Sequence, residues 1–179
     1  PALRKSLGVF YTPVQAVQYL ISVVDRVLVD DFGIEGGLSN NEQITTKVPC
    51  APYKVTKTKW ADEITISVPR VAILDPACGT GSFGAEIIKY IKKTYFSGAR
   101  SAFYENYIQQ ENGLLSRLIG FEIMMTSYVV AHLKIRRTID ETLGQLPNVQ
   151  LPTNIFLTNT LAPPMSDVER GEQLTLFDF

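Results

Sequence analysis

The chain has 179 residues, 45% of them apolar and 20% charged, which suits one globular α/β domain with a sizeable core and leaves little room for a second. Seventeen basic residues stand against eighteen acidic ones, so the balance gives no support to a strongly basic nucleic-acid or membrane-surface binder. No window approaches a membrane span and no signal-peptide layout opens the chain, so the cytoplasm is the expected location. Two cysteines and one histidine, His132, offer no zinc spacing and little metal or histidine-base chemistry.

The first predicted element is an amphipathic helix in "YTPVQAVQYLISVVDRVLVDDFG", with Val17, Leu20, Ile21, Val24 and Leu28 at helical spacing. Thr12 is its expected N-cap, Pro13 its first residue, Gln15 the partner in a capping box, and Gly33 the stop. Residues 34–70 are rich in Gly, Ser and Asn, then alternate lysine with β-branched residues and are broken by prolines. They read as a long irregular connection with at most a short hairpin, and the lysines at 54, 57 and 59 near Trp60 as a solvated face.

From residue 71 the pattern changes. "VAIL" is a short apolar run of the kind a buried parallel strand needs. A helix follows from Ser82, with Phe83, Ile87, Ile88 and Ile91 on one face, and residues 101–113 read as more polar helix. "RLIGFE" is a second strand ending in Glu122, "MMTSYVVAHLKIRRTIDETLG" a second strong helix carrying His132, and "NIFLTNTL" a third strand. Strand, helix, strand, helix, strand argues for crossover connections and a parallel sheet flanked by helices. Phe83, Met124 and Met125 read as core, and Cys78 as a small, buried, unreactive thiol.

Between the first strand and its helix lies "DPACGTGSF". The glycines permit unusual backbone angles and let a ligand approach the main chain, as in dinucleotide sites. The string from Gly79 to Gly84 even matches G-x-G-x-x-G, which alone is a weak signal. Asp75 argues against pyrophosphate, because a carboxylate at the mouth of an anion cradle repels it; a cation such as an α-ammonium suits the place better. Glu122 at the next strand tip is placed to accept both hydroxyls of a ribose, and Ile123 to lie against a purine. Ammonium, ribose and purine together describe S-adenosylmethionine better than NAD.

These stretches resemble the amino-methyltransferases that modify adenine in DNA, in particular the methylases of restriction-modification enzymes of the type I, type IIG and single-polypeptide kinds. "DPACGTGSF" resembles their cofactor loop, "FYTP" the segment that closes over the cofactor's methionine part, and "GFEI" their acidic strand end. "TNTL" sits where the family places a residue that contacts the adenine amino group, usually an aspartate, here Asn159. The resemblance spans residues 8–161 and implies a Rossmann-like methyltransferase fold that is incomplete at its C-terminal side, with S-adenosyl-L-methionine as cofactor and double-stranded DNA as partner. It implies nuclease, helicase or specificity parts in the same polypeptide or complex.

By that resemblance Thr12 and Pro13 line the methionine end, Asp75 lies near it, and Ala77, Gly79 and Gly81 offer backbone contacts. Glu122 holds the ribose, Ile123 packs on the adenine ring, Asn159 bonds the adenine amino group, and the Thr160 main chain completes that edge. The family's catalytic signature is Asn or Asp, Pro-Pro, then Tyr or Phe; here residues 162–165 read Ala-Pro-Pro-Met and fit a loop instead. The expected organisation is a cap helix over 1–33, the connection over 34–70, a cofactor-binding core over 71–161 and a tail over 162–179. A fragment whose catalytic groups lie beyond the chain is expected to transfer no methyl group by itself. Two other readings stand beside this one: a nicotinamide-dependent oxidoreductase domain, and a degenerate methyltransferase-like module that only docks a partner.

Overall fold

A computed structural model describes residues 12–54, 60–103, 108, 113–143 and 153–161. Helix α1 (Val14–Asp30) and a 3-10 turn (Gly37–Ser39) lead into strands β1 (Gln43–Lys54) and β2 (Trp60–Pro69). Strand β3 (Ile73–Asp75), helix α2 (Ser82–Tyr95), one-turn helices α3 (Arg100–Phe103) and α4 (Leu114–Arg117), strand β4 (Leu118–Glu122), helix α5 (Met125–Leu143) and strand β5 (Asn154–Leu157) follow. The three short strands form a parallel sheet in the order β3-β4-β5, flanked by helices, so the predicted α/β alternation holds. Val71 is buried, but Leu74 within the expected buried run is 56% exposed, on the outer strand of the sheet.

Helix α1 begins one residue later than its sequence suggests. Pro13 is extended (φ −56°, ψ 139°) and is itself the cap; its carbonyl accepts the amides of Ala16 and Val17 at 3.0 and 3.1 Å. No side-chain cap bond forms, so the Thr12–Gln15 capping box is absent. At the far end Gly33 and Ile34 donate to the carbonyls of Val29 and Leu28, which closes the helix as expected.

The apolar stripe of α1 divides into two rows. Val17 and Ile21 continue to Asp25 at i+4 and are buried with it; Leu20 and Val24 remain 45% and 49% exposed. Asp25 is held by three donors, the Leu38 amide at 2.8 Å and the hydroxyls of Tyr90 and Tyr95 at 2.9 and 2.8 Å. Those bonds replace the water that a buried carboxylate loses, and they join α1, the 3-10 turn and α2. Burial, with Asp25 beside it, pushes the Tyr90 hydroxyl above the ordinary phenol range.

The core gathers Ile87, Ile88 and Ile91 of α2 with Leu114, Leu115, Leu118, Ile135 and Ile139. Each such side chain stabilises the fold by about 1.5–3 kcal/mol relative to exposure. Arg117 is buried among them and donates to the carbonyls of Val71 at 3.1 Å and Leu38 at 2.6 Å, tying the start of β4 to the approach of β3.

Residues 43–69 depart from the expected irregular connection. Strands β1 and β2 pair antiparallel as a long hairpin whose register runs from Gln43–Pro69 to Lys54–Trp60, with an irregularity between Pro49 and Tyr53. No described hairpin side chain is buried. Its base is fastened by the Arg70 amide to the Glu42 carbonyl and by the Arg70–Glu42 ion pair at 2.7 Å. No helix among the described residues is long and apolar enough to cross a membrane.

Candidate cofactor site at the strand tips

The sheet register decides how the candidate residues meet. Asp75 pairs with Gly120, Gly120 with Ile155, and Glu122 with Leu157. The acidic tip of β4 therefore stands two residues beyond the acidic tip of β3, roughly 6.6 Å further along the strands. Asn159 lies two residues beyond Leu157 in turn. The two acidic tips ascend across the sheet as a staircase, Asp75 lower and Glu122 higher.

Asp75 is half-buried. Its Oδ1 accepts the Ala77 amide at 3.3 Å, whereas Oδ2 is buried with no hydrogen-bond partner among the described residues. Burial raises its pKa above the ordinary carboxylate value, against the Ala77 bond, and the nearby Glu122 carboxylate adds to the rise. Negative charge is thus disfavoured here, and a cationic group would relieve it. Glu122 is 8% exposed; its Oε1 accepts the Met124 amide at 2.8 Å at the entry to α5, and its other oxygen has no protein partner among the described residues. Its carbonyl accepts the Thr158 amide at 2.9 Å, which fixes the start of the β5 loop.

The glycine turn joins these tips. Cys78 donates its amide to the Phe121 carbonyl at 2.9 Å, and Gly81 donates to the Cys78 carbonyl at 2.8 Å. Gly79 has φ +54°, and no described residue lies within 4 Å of the place a Cβ would occupy, so that side of the turn is open. Gly81 has φ +73° and is crowded instead: a Cβ would meet Ala131 Cβ at 3.1 Å. The Cys78 thiol is buried and pushed up to about 11 by burial and by the Asp75 and Glu122 carboxylates, which fits an unreactive thiol.

Ile123 is 64% exposed beside Glu122 and offers an open apolar surface. Met124 and Met125, read as core, are exposed at 41% and 59%, because the strand end delivers them to the open rim of the sheet. Phe83 is partly buried and packs on the core as expected. Asn159 is exposed, and its Oδ1 accepts the Leu161 amide at 3.0 Å, a local turn bond that leaves one lone pair of that oxygen and the whole side-chain amide nitrogen for other partners. Thr160 Oγ1 donates to the Pro76 carbonyl at 3.3 Å and so links the β5 loop back to the exit of β3.

Thr12 and Pro13 arrive elsewhere. Val14, next in the chain, shares a cleft of about 360 Å³ with Ser82, Glu86, Lys89 and Lys134. The structure thus brings the α1 entry to the start of α2, while Asp75, Ala77, Glu122 and Thr160 gather at the tips. A second groove of about 370 Å³ runs between α1 and β3, lined by Leu20, Val24, Leu74, Asp75 and Phe83 among others. His132 is packed, its Nδ1 at 2.5 Å from Thr153 Oγ1 and its ring edge-on to Tyr128. The lysines at 57 and 59, the Lys54 side chain, Phe10, Tyr11 and residues 162–165 lie outside what the structure describes.

Sequence reasoning missed Lys134, which comes from the middle of α5 to the glycine turn. Its Nζ lies 3.0 Å from both Thr80 Oγ1 and Ser82 Oγ. A lysine in an amphipathic helix carries no sequence signal for such a role.

No protein-family model and no curated protein sequence matches the chain. The fold has solved counterparts. A nuclease-deletion mutant of the Type ISP restriction-modification enzyme LlaGI, in complex with a DNA substrate mimic, is similar over 96% of this chain at 22% identity and a TM-score of 0.56. The ATP-dependent Type ISP restriction-modification enzyme LlaBIII bound to DNA is similar over 93%, at 22% identity and a TM-score of 0.56. The DrdV–DNA complex is similar over 88%, at 24% identity and a TM-score of 0.51. The present chain spans 12%, 9% and 11% of those chains, respectively. At these identities the likeness is one of fold.

Proposed function

We propose that this chain is the S-adenosylmethionine-binding part of an adenine-specific DNA methyltransferase belonging to a restriction-modification enzyme. The observation that carries the reading is the staircase of two acidic tips around a glycine turn, with Asp75 Oδ2 buried and unpartnered. Pyrophosphate would meet a carboxylate there, whereas an α-ammonium would satisfy it. That contrast favours the methyl donor over a nicotinamide dinucleotide.

In this reading Asp75 holds the ammonium, and the main chain at Ala77, Gly79 and Gly81 lies along the amino-acid part. The unbonded oxygen of Glu122 takes the ribose hydroxyls, exposed Ile123 lies against the purine, and Asn159 with the Thr160 main chain reads its amino edge. When bound, the cofactor supplies a methyl group on a positively charged sulfur. The residues named above contribute binding and orientation.

The acceptor in this reading is the exocyclic nitrogen of an adenine turned out of double-stranded DNA. The solved counterparts are restriction-modification enzymes or DNA complexes in which a chain of this size is a small share of the whole. That supports assigning DNA contact, and any nuclease or helicase, to a larger assembly. It also agrees with a net charge of −1. Calorimetric titration with S-adenosylmethionine tests the reading: heat of binding is expected from the wild-type chain and strongly reduced heat from Glu122→Ala. Equal heats from both would remove the ribose role.

A further inference from the structure

We propose that Lys134 is a positioning residue that holds the glycine turn in its binding conformation from behind. The proposal rests on the cofactor reading given above. Three consecutive turn residues meet one turn of helix α5. Thr80 Oγ1 and Ser82 Oγ each lie 3.0 Å from Lys134 Nζ. Gly81 between them presses on Ala131, where a Cβ would meet the Ala131 Cβ at 3.1 Å. Three residues after Gly81, Gly84 is closer still to Ile135, where a Cβ would come within 2.8 Å of Cδ1. Apolar contact alone would seat α2 on α5. The ammonium adds directional hold on the two side chains that flank the left-handed residue.

The placement is electrostatically costly, which points to a use beyond packing. Lys134 makes no ion pair among the described residues; Glu86, whose charge acts on it, is paired with Lys89 at 2.9 Å. A cation beside the N-terminus of α2 also opposes the helix dipole. The charged groups around Lys134 are Glu86 and Lys89 of α2, and Arg137 and Glu141 of its own helix along the same cleft; α1 contributes Val14, Val17 and Gln18, the last bonded to Glu86 at 2.8 Å. Burial first and Lys89 second lower its pKa from the ordinary lysine value, with Glu86 opposing. Lys134 therefore loses its proton before an ordinary lysine does as pH rises, and the turn loosens in that range.

The test uses the full chain as wild type, Lys134→Met and Lys134→Arg, with amide exchange by NMR in the absence of cofactor and S-adenosylmethionine affinity between pH 7 and 10. Lys134→Met is expected to speed exchange at residues 80–82 by about tenfold, with Ile88 and Ile91 unchanged, and to weaken the cofactor by a similar factor. Lys134→Arg should restore both to within about threefold. Wild-type affinity should fall toward pH 10 while the Met variant stays flat. Wild-type exchange in the Met variant, faster exchange spread evenly over all of α2, or no rescue by arginine would overturn the proposal. If wild type binds no S-adenosylmethionine, the cofactor reading fails, and the exchange comparison still decides Lys134.

Discussion

Glu122 stands two residues higher in the sheet than Asp75, because Asp75 pairs with Gly120 across the β3–β4 ladder. Two carboxylates on adjacent parallel strands would repel at the same level. The offset separates them along the strand direction.

Glu122→Gln separates the proposed ribose role from the structural one. A glutamine oxygen still accepts the Met124 amide, so the entry to α5 is preserved. The charge that strengthens hydrogen bonds to ribose hydroxyls is lost. Affinity for S-adenosylmethionine is expected to fall about 10- to 100-fold, with an unchanged melting temperature, by calorimetry and thermal denaturation.

Asp75→Asn should stabilise the free protein and impair binding. The folded state raises the carboxyl pKa, so ionisation costs stability as pH climbs from the ordinary value toward the folded one; below the ordinary value, about 4, the proton is present in both states and the cost vanishes. The asparagine variant should melt higher than wild type at pH 7, with the difference closing below about pH 4. It should bind the cofactor more weakly at pH 7. A variant that melts lower at pH 7 and binds normally would contradict the burial argument.

Gly81→Ala and Gly84→Ala form a contrasting pair. At Gly81 the left-handed backbone and the close Ala131 both oppose a side chain, so unfolding by denaturant should show a loss of about 1–3 kcal/mol. At Gly84 the obstacle is the flexible end of Ile135, and alanine favours a helix interior by about 0.5–1 kcal/mol over glycine. That variant should lie within about 1 kcal/mol of wild type.

Asp25→Ala removes the shared acceptor of three hydrogen bonds, from the Leu38 amide and the Tyr90 and Tyr95 hydroxyls. Denaturant unfolding should show a loss of about 3 kcal/mol or more. The Tyr90 phenol should also titrate closer to its ordinary range, measured by ultraviolet absorbance.

The sheet was legible because each strand is a short apolar run and two of them end in a carboxylate that a buried run does not tolerate earlier. The turn was legible because glycines and Pro76 leave few other geometries. The hairpin was not, although Ile64, Ile66 and Val68 alternate with Glu63, Thr65 and Ser67 at strand period and form its half-buried face; with none of these side chains fully buried, the lysines and prolines around them outweighed that signal. Its prolines at 49 and 52 read as strand breakers, yet the strand accommodates that stretch at its irregularity. Asp25, Arg117 and Lys134 were illegible for one shared reason: their partners lie 13 to 79 residues away, and only the fold brings them together. The helix cap missed by one residue because Thr12 and Pro13 both suit an N-terminus and only the backbone angles choose between them.

The most direct test is an NMR titration of the isotopically labelled chain with S-adenosylmethionine and, separately, with NAD. The account predicts that the methyl donor shifts the amides of Ala77, Gly79, Gly81, Ile123 and Thr160, and that NAD leaves them in place. Shifts confined to other surfaces, or a response to NAD at the same five amides and none to the methyl donor, would contradict it.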